Sequence, residues 1–399
     1  MSAGAARTTP FHPRTAALCA SHAWRRWAGY AVAGCYGLSH EREYHALRAA
    51  AALFDISPLY KYLVRGRDAA RLLDRVATRS VASLAPGRVL YTPWCNARGK
   101  VLDDGTIARL DEDTFRLTSA EPNLRWLEDN ALGLDVEIED VSERIAALAL
   151  QGPASRAILQ QVVDVELAHL RYFGISAARL RKSPVTISRT GYTGDLGYEI
   201  WLDAADALPV WDALADAGAA CGLEPAGLAA LDLARIEAGL LLAEVDYVPA
   251  RKALVEAQTS SPFELDLGWT VNLEKEQFVG KAALAEEARR GPRWRFVGLE
   301  LEWDALERLY AEAGLAPQLP AAAWRGSAAL YARGRQVGYA TSGTWSPLLK
   351  KYLALAHVEA RCAAHGTALE MEVTVEHRRR RCPASVANKT FFDPPRKRG

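Results

Sequence analysis

The hydrophobic positions of the chain follow two different periods. In some stretches apolar residues recur every three or four positions, which is typical of a helix with one buried face. In others they alternate or run without interruption, which is typical of a strand. The helical pattern covers Glu41–Leu53, Ala69–Ala77, Pro122–Gly133, Asp206–Ala220 and Pro225–Leu241. The strand pattern covers Lys61–Arg65, Gly87–Trp94, Val101–Leu110, Phe115–Thr118 and Ala146–Pro153.

The stretch Arg189–Leu202 stands out because three glycines recur in it at every third residue, Gly191, Gly194 and Gly197. A β-like run precedes the glycines and another follows them, so the pattern predicts a hairpin. Glycine at this spacing permits positive φ and lets a flat partner approach the backbone closely.

Alternation along the second strand of this hairpin places Glu199 and Trp201 on one face and the apolar residues between and beside them on the other. A carboxylate beside an indole is a poor core but a suitable ligand wall. An ordinary hairpin with a solvated glutamate is the alternative, and spacing alone leaves both open.

The C-terminal part of the chain contains short strand patterns separated by glycine turns. They cover Arg295–Leu301, Ala328–Ala332, Gln336–Thr341 and Glu370–Glu376. Together they predict a small β-barrel or sandwich.

Length and charge limit the class of protein. A chain of 399 residues is too long for one core, which predicts two or three domains. The net charge of +1 gives no electrostatic case for binding nucleic acid or a membrane. The basic clusters at 378–381 and 396–398 are short, so we expect them to be solvated surface. No apolar run reaches the length of a transmembrane helix.

Cysteine and histidine usage argues against a metal site. The six cysteines are scattered without a Cys-x-x-Cys pair, and the eight histidines lack metal-ligand spacing. Free thiols predict a cytoplasmic protein. The first forty residues contain arginines and no acid before Glu41, as mitochondrial presequences do, but arginine- and alanine-rich usage extends over the whole chain.

Two adjacent carboxylates, Asp103 and Asp104, lie inside an otherwise apolar strand pattern. An ionised carboxylate in such a place must find donors or face a polar cavity. Alternation sends the two side chains to opposite faces, so we expect one of them to face a site. The alternative is that both belong to a turn at the start of a strand.

Several of these motifs resemble one known family. Arg-Thr-Gly-Tyr-Thr-Gly-Asp-Leu-Gly-Tyr-Glu-Ile at 189–200 is similar to the signature of the aminomethyltransferase family, the glycine cleavage T-protein and its relatives. Further similarities follow in the family's order from about residue 40 to 395. They are the Gln-Gly-Pro strand exit at 151–153, Asp-Leu-Ala-Arg-Ile-Glu-Ala-Gly at 232–239, and the segments 261–271, 278–284 and 338–347.

The resemblance implies a fold and a cofactor. It predicts an α+β protein with a three-domain T-protein-like arrangement, a folate-binding α+β core and a small C-terminal β-barrel or sandwich. Residues 1–275 would form the folate-binding region, with two interleaved subdomains and an aromatic N-terminal arm at 1–40, and residues 276–399 the β-rich domain. Tetrahydrofolate is implied as the one-carbon acceptor.

The resemblance also implies site residues. Tyr91 and Asp104 keep the family spacing of thirteen between a tyrosine and an essential aspartate, so Asp104 is predicted as catalytic, with Asp103 left open. Glu199 is predicted to bind the two adjacent donors of the pterin edge. The remaining predicted folate contacts are Tyr91, Tyr192, Trp201 and Arg235, with a structural role for Arg235 equally open.

Two departures from the T-protein pattern affect the predicted reaction. Pro58 stands where T-proteins have a histidine after the serine, and Leu231 replaces an arginine that contacts folate in T-proteins. They favour methyl transfer from a small N-, O- or S-methylated substrate to tetrahydrofolate. The alternatives are the aminomethyltransferase reaction with a lipoyl carrier protein as partner, and a non-enzymatic folate-binding regulator.

Overall fold

The computed structural model describes residues 6–399, and these residues fall into two compact units. The first consists of the residues up to Thr92 together with Asp103–Leu231 and Pro394–Gly399. The second consists of Pro93–Leu102 and Asp232–Asp393. The predicted boundary between residues 275 and 276 stays a prediction.

The helices and strands are numbered in chain order. The helices are α1 His12–Leu18, α2 Glu41–Ala49, α3 Ala69–Val76, α4 Leu124–Ala131, α5 Ser155–Gln160, α6 Ala207–Ala219, α7 Leu228–Glu237, α8 Lys281–Arg290 and α9 Trp303–Ala311. The strands are β1 Arg7–Thr8, β2 Ala23–Trp27, β3 Tyr30–Cys35, β4 Ala51–Asp55, β5 Tyr60–Arg65, β6 Arg88–Cys95, β7 Val101–Arg109, β8 Thr114–Ser119, β9 Glu137–Asp140, β10 Ile145–Gln151, β11 Ile175–Leu180, β12 Ser183–Ser188, β13 Gly197–Asp203, β14 Leu223–Pro225, β15 Trp294–Leu301, β16 Trp324–Ala332, β17 Arg335–Ser346, β18 Lys351–Glu359, β19 Ala368–Val375 and β20 Arg378–Ala387.

The first unit is built on two larger sheets. One has six strands in the order β11-β12-β13-β10-β4-β14, and the other has the order β6-β7-β8-β5-β9. One face of the six-stranded sheet packs on α5 and α6 through a core that includes Leu148, Ile200 and Trp211. Phe54, Ala149 and Glu199 occupy paired positions on the opposite face.

The aromatic segment near the N-terminus, predicted as an arm, is an antiparallel hairpin of β2 and β3. β1 adds to it in parallel, which gives a third, three-stranded sheet. Tyr36, at the end of this segment, is buried beside Cys19 and Ala33.

The helix predicted over Glu41–Leu53 is shorter than expected. It ends at Ala49, and Ala50 leaves the helical conformation with φ −136° and ψ −103°. Ala51–Asp55 then forms β4, which pairs with β10 and β14 in the interior of the sheet. An apolar run suits a buried strand as well as a helix face, so pairing with β10 and β14 determines that Ala51–Asp55 is a strand.

The second unit contains a closed six-stranded barrel in the order β15-β18-β17-β16-β19-β20. Its core includes Leu299, Val358 and Met371. This barrel and the mixed sheets of the first unit confirm the predicted α+β class with a C-terminal β-domain. Within residues 6–399, no helix combines the length and the apolar character needed to cross a membrane.

Candidate active site

The face of the six-stranded sheet that points away from its helices carries Glu199 and Trp201. Strand register places Glu199 opposite Ser188 on β12 and Ala149 on β10, so small or polar side chains surround it. The alternating residues of β13, among them Tyr198 and Ile200, lie in the core instead. The predicted division of this strand into a core face and a polar face is therefore present.

Glu199 is held by hydroxyl groups of its own hairpin. Thr190 Oγ1 donates to Glu199 Oε2 at 2.7 Å, and Thr190 is linked to Ser188 Oγ at 2.8 Å. Burial raises the pKa of Glu199, while Thr190 and the positive charge of Arg116 oppose that shift. A partly desolvated carboxylate in fixed orientation is suited to accept two parallel N–H donors.

Arg116, on β8 of the five-stranded sheet, contacts Trp201, on β13 of the six-stranded sheet. Its Cζ lies 4.1 Å from the centroid of the Trp201 ring, a distance typical of a cation–π contact. Both residues are buried, with exposed fractions of 4% for Arg116 and 3% for Trp201. Burial lowers the pKa of Arg116 to about 10, and Glu199 counteracts this, so the guanidinium stays charged at neutral pH.

The Arg116 guanidinium is incompletely satisfied by the protein. Its Nε is buried and has no hydrogen-bond partner among residues 6–399. The neighbouring buried cation Lys61, by contrast, donates through Nζ to the Ser57 carbonyl oxygen at 2.6 Å. A buried donor without an acceptor costs about 1–3 kcal/mol. We did not predict Arg116 from the sequence, although a charge inside an apolar strand is the signal that identified Asp103 and Asp104.

The two adjacent aspartates point to opposite faces of β7. Asp103 is fully buried and accepts hydrogen bonds from the backbone N–H of Glu121 at 3.0 Å and from Asn123 Nδ2 at 2.8 Å. Burial and the charge of Asp104 raise the pKa of Asp103 to about 8. Its environment is that of an internal structural group.

Asp104 has a different environment and is half-buried. Tyr91 Oη donates to Asp104 Oδ2 at 2.8 Å. Burial raises the pKa of Tyr91 well above its ordinary value, and the negative charge of Asp104 raises it further, so the tyrosine stays protonated and can donate. Tyr192 also contributes to this shift. The structure thus groups three of the predicted site residues.

Cross-strand register relates Asp104 to Arg116. Thr106 pairs with Thr118 and Ala108 with Arg116, so Arg116 lies on the face of the sheet that also carries Thr106 and Ala108. Alternation along β7 puts Asp104 on that face too and Asp103 on the other. The face therefore carries both the Asp104 carboxylate and the cation that contacts Trp201.

The three glycines of the signature have a physical reason within the first unit. A Cβ atom on Gly191 would lie 2.0 Å from the Gln151 side chain, and one on Gly197 would lie 2.3 Å from it. Gly194 is required for a different reason, because its φ of +75° lies in the left-handed region that favours glycine. Gln151 is fully buried, accepts from Thr193 Oγ1 at 2.8 Å and donates to the Thr190 carbonyl oxygen at 3.2 Å. The flat group that lies against these glycines is the Gln151 amide, and its hydrogen bonds fix the loop that precedes Glu199.

Arg235, a further predicted folate contact, belongs to the second unit. It is fully buried and forms ion pairs with Asp232 (Nε to Oδ1, 2.9 Å) and with Asp246. Asp246 also accepts hydrogen bonds from Thr341 and Ser342 of β17. These contacts favour the structural role that the sequence left open for Arg235, and its contact with folate stays a prediction.

Comparison with known proteins identifies the family. The model of the GCVT N-terminal domain matches residues 11–275, and that of the glycine cleavage T-protein C-terminal barrel domain matches residues 313–393. The chain belongs to the aminomethyltransferase (glycine cleavage T-protein) family. As a member it is an enzyme, a transferase of one-carbon units with tetrahydrofolate as acceptor.

Relatives of this aminomethyltransferase family match nearly the whole chain. The aminomethyltransferase of Geobacillus thermodenitrificans is 37% identical over 363 residues, which cover 89% of this chain and 90% of the relative. That of Bacillus subtilis is 34% identical over 360 residues, with 89% and 91% covered. The crystal structure of glycine cleavage system aminomethyltransferase T from Bartonella henselae superposes with a TM-score of 0.82 at 28% identity, covering 97% of this chain and 98% of that one.

Proposed function

We propose that this chain catalyses the aminomethyltransferase reaction, in which a methylene unit passes from an aminomethyl-lipoyl carrier protein to tetrahydrofolate and ammonia is released. Relatives named aminomethyltransferase match along nine-tenths of their own length, which supports this reaction over methyl transfer from a small methylated compound. The Tyr91–Asp104 pair is the observation in the structure that carries the proposal.

In the first unit, Glu199 would bind the pterin of tetrahydrofolate. The pterin edge offers an N–H beside an amino group, and the Glu199 carboxylate, oriented by Thr190, would accept from both. Tyr192 offers aromatic surface for the flat ring, whereas the Trp201 ring packs on Arg116. When bound, tetrahydrofolate supplies the nitrogen atoms that accept the one-carbon unit.

Asp104 would act on the reacting nitrogens. Tyr91 holds its Oδ2 at 2.8 Å and thereby fixes the carboxylate. A negative charge held in a partly desolvated place stabilises positive charge that develops on an amine, and it can accept or return a proton there. Positioning by the protein supplies the rest of the rate enhancement.

A small methylated donor is the second candidate, because two residues depart from the T-protein pattern. Leu231 lies with Tyr36 and Asp55 in the lining of a small cavity of the first unit, so an apolar side chain occupies the position of the T-protein arginine. Pro58 likewise cannot supply the imidazole of the histidine it replaces.

The donor can be identified by one assay. Purified protein is incubated with tetrahydrofolate and either an aminomethyl-lipoyl carrier protein or a panel of methylated amines, ethers and sulfides, and the folate product is determined by mass spectrometry. The proposal predicts methylene-tetrahydrofolate and ammonia with the carrier alone. Accumulation of 5-methyltetrahydrofolate with a small donor, and no product with the carrier, would establish the second candidate instead.

A further inference from the structure

We propose that Arg116 donates a hydrogen bond to the carbonyl oxygen at position 4 of the pterin. Arg116 and Glu199 would then together recognise the acceptor and the two donors along one edge of the ring. The proposal rests on the proposed function, since it takes Glu199 as the pterin-binding carboxylate. It assigns a specificity-determining residue beyond Glu199, Asp104 and their hydroxyl partners.

The first argument is the unsatisfied donor. Arg116 is 96% buried, its Nε has no partner in the part of the chain that the structure describes, and the contact of its guanidinium is with the face of Trp201. A guanidinium presents five N–H donors and no acceptor, so a buried one calls for an acceptor that the protein does not supply. A ligand oxygen would meet this need.

The second argument is the order of groups on the pterin edge. The carbonyl oxygen at position 4 is followed by the N–H at position 3 and then by the amino group at position 2. A carboxylate matches the two donors, and the acceptor beside them requires a donor on the protein. Arg116 contacts Trp201, which follows Glu199 by two residues on the same face of β13, so the guanidinium lies on the Glu199 side of that sheet.

The third argument concerns how Arg116 is held. Trp201, two residues after Glu199 on β13, shares its face of the sheet and stacks beneath the guanidinium. The guanidinium is planar, and stacking on an indole limits its orientations. The strand that positions the carboxylate thus positions the arginine as well.

The test combines a change in the ligand with a change in the side chain. The full chain is titrated by calorimetry, under reducing conditions, with tetrahydrofolate and with its 4-thio analogue, which keeps both donors but accepts hydrogen bonds weakly. We expect the wild-type protein to bind the analogue about 10- to 100-fold more weakly, the range for a hydrogen bond to a charged group. In Arg116→Met the two ligands should bind equally, at the weaker level.

Controls separate this role from a general effect of charge. Arg125→Met, which removes an exposed arginine of α4, should leave both dissociation constants unchanged. If Arg116 serves only to keep Glu199 ionised, Arg116→Met will weaken both ligands by the same factor, and the unchanged ratio would overturn the inference. If Arg116→Met does not fold, equal binding of the two ligands by the wild type would overturn it as well. Failure of the wild type to bind tetrahydrofolate at all would instead count against the proposed function.

Discussion

Neighbouring residues of this chain meet very different surroundings, and Asp103 and Asp104 are the clearest case. Alternation along a strand predicts that they point in opposite directions, which the structure shows. The sequence does not reveal that Asp103 would accept from Glu121 and Asn123, because those groups lie in a segment about twenty residues further along the chain. The family spacing selects Asp104 for catalysis, and its contact with Tyr91 supports that choice.

Replacement of Asp104 by asparagine should abolish most turnover without unfolding the protein. Asparagine keeps the shape of the side chain and removes its charge, so we expect turnover to fall about 100-fold or more, the contribution typical of a proton-transferring group. Steady-state kinetics measures this, with Asp129→Asn on the exposed surface as the control. Turnover close to that of the wild type would exclude a catalytic Asp104.

The buried carboxyl of Asp103 should make stability depend on pH. Its pKa is raised to about 8 in the folded protein, whereas an unfolded aspartate has a pKa of about 3.9. Between these values the folded state keeps a proton that the unfolded chain has lost, so the stability from this group falls as pH rises. From pH 5.5 to 7.5 the loss should be about 2 kcal/mol.

Urea unfolding at both pH values measures that loss. Asp103→Asn cannot titrate at this position and should show a smaller difference between the two pH values. The same pH dependence in the variant and the wild type would mean that Asp103 is already ionised at pH 5.5.

At the scale of elements, the glycine-rich hairpin was predictable in outline but not in detail. Its spacing indicates tight turns and a flat partner, and its alternation gives the face of Glu199. The identity of the partner was not predictable, because Gln151 comes from β10, more than 35 residues earlier in the chain. The early end of α2 has the same cause, since pairing between distant strands determines where Ala51–Asp55 lies.

Gly197→Ala should destabilise the protein by about 1–3 kcal/mol, the usual cost of overpacking a buried site. The added methyl group would meet the buried Gln151 amide at 2.3 Å. Gly37→Ala is the matched control, because its nearest neighbouring atom would be 3.7 Å away, and its stability should stay within about 1 kcal/mol of the wild type. Equal stability of the two variants in urea would contradict the packing described for this hairpin.

Arg235→Met should destabilise the second unit by about 3–5 kcal/mol, because it leaves the buried Asp246 carboxylate without its cation and Asp232 with Arg325 alone. Arg361→Met, which breaks an exposed pair with Glu359, should cost under about 1 kcal/mol. If Arg235 is structural, protein that remains folded should bind tetrahydrofolate with unchanged affinity. A tenfold weaker affinity with unchanged stability would show that Arg235 contacts the ligand instead.

At the scale of the whole molecule, motifs in a fixed order predicted more than periodicity did. The α+β class, the C-terminal barrel and the family follow from at least five segments spread along the chain. A charge inside an apolar strand marks Arg116 as it marks Asp103 and Asp104, but the role of Arg116 was not predictable, because its partner Trp201 comes from a distant strand. The basic cluster at 378–381 lies on β20. There Arg379 and Arg381 form ion pairs with carboxylates of the neighbouring strand β19.

The central claim is that the first unit binds the pterin through Glu199, and calorimetric titration with tetrahydrofolate tests it most directly. The wild type should bind with a saturable isotherm, and Glu199→Ala should bind more weakly by roughly 1.5–3 kcal/mol, the loss of a charged hydrogen-bonding partner. Glu128→Ala, on the exposed surface of α4, should bind like the wild type. An unchanged dissociation constant in Glu199→Ala would place the pterin elsewhere and contradict the account.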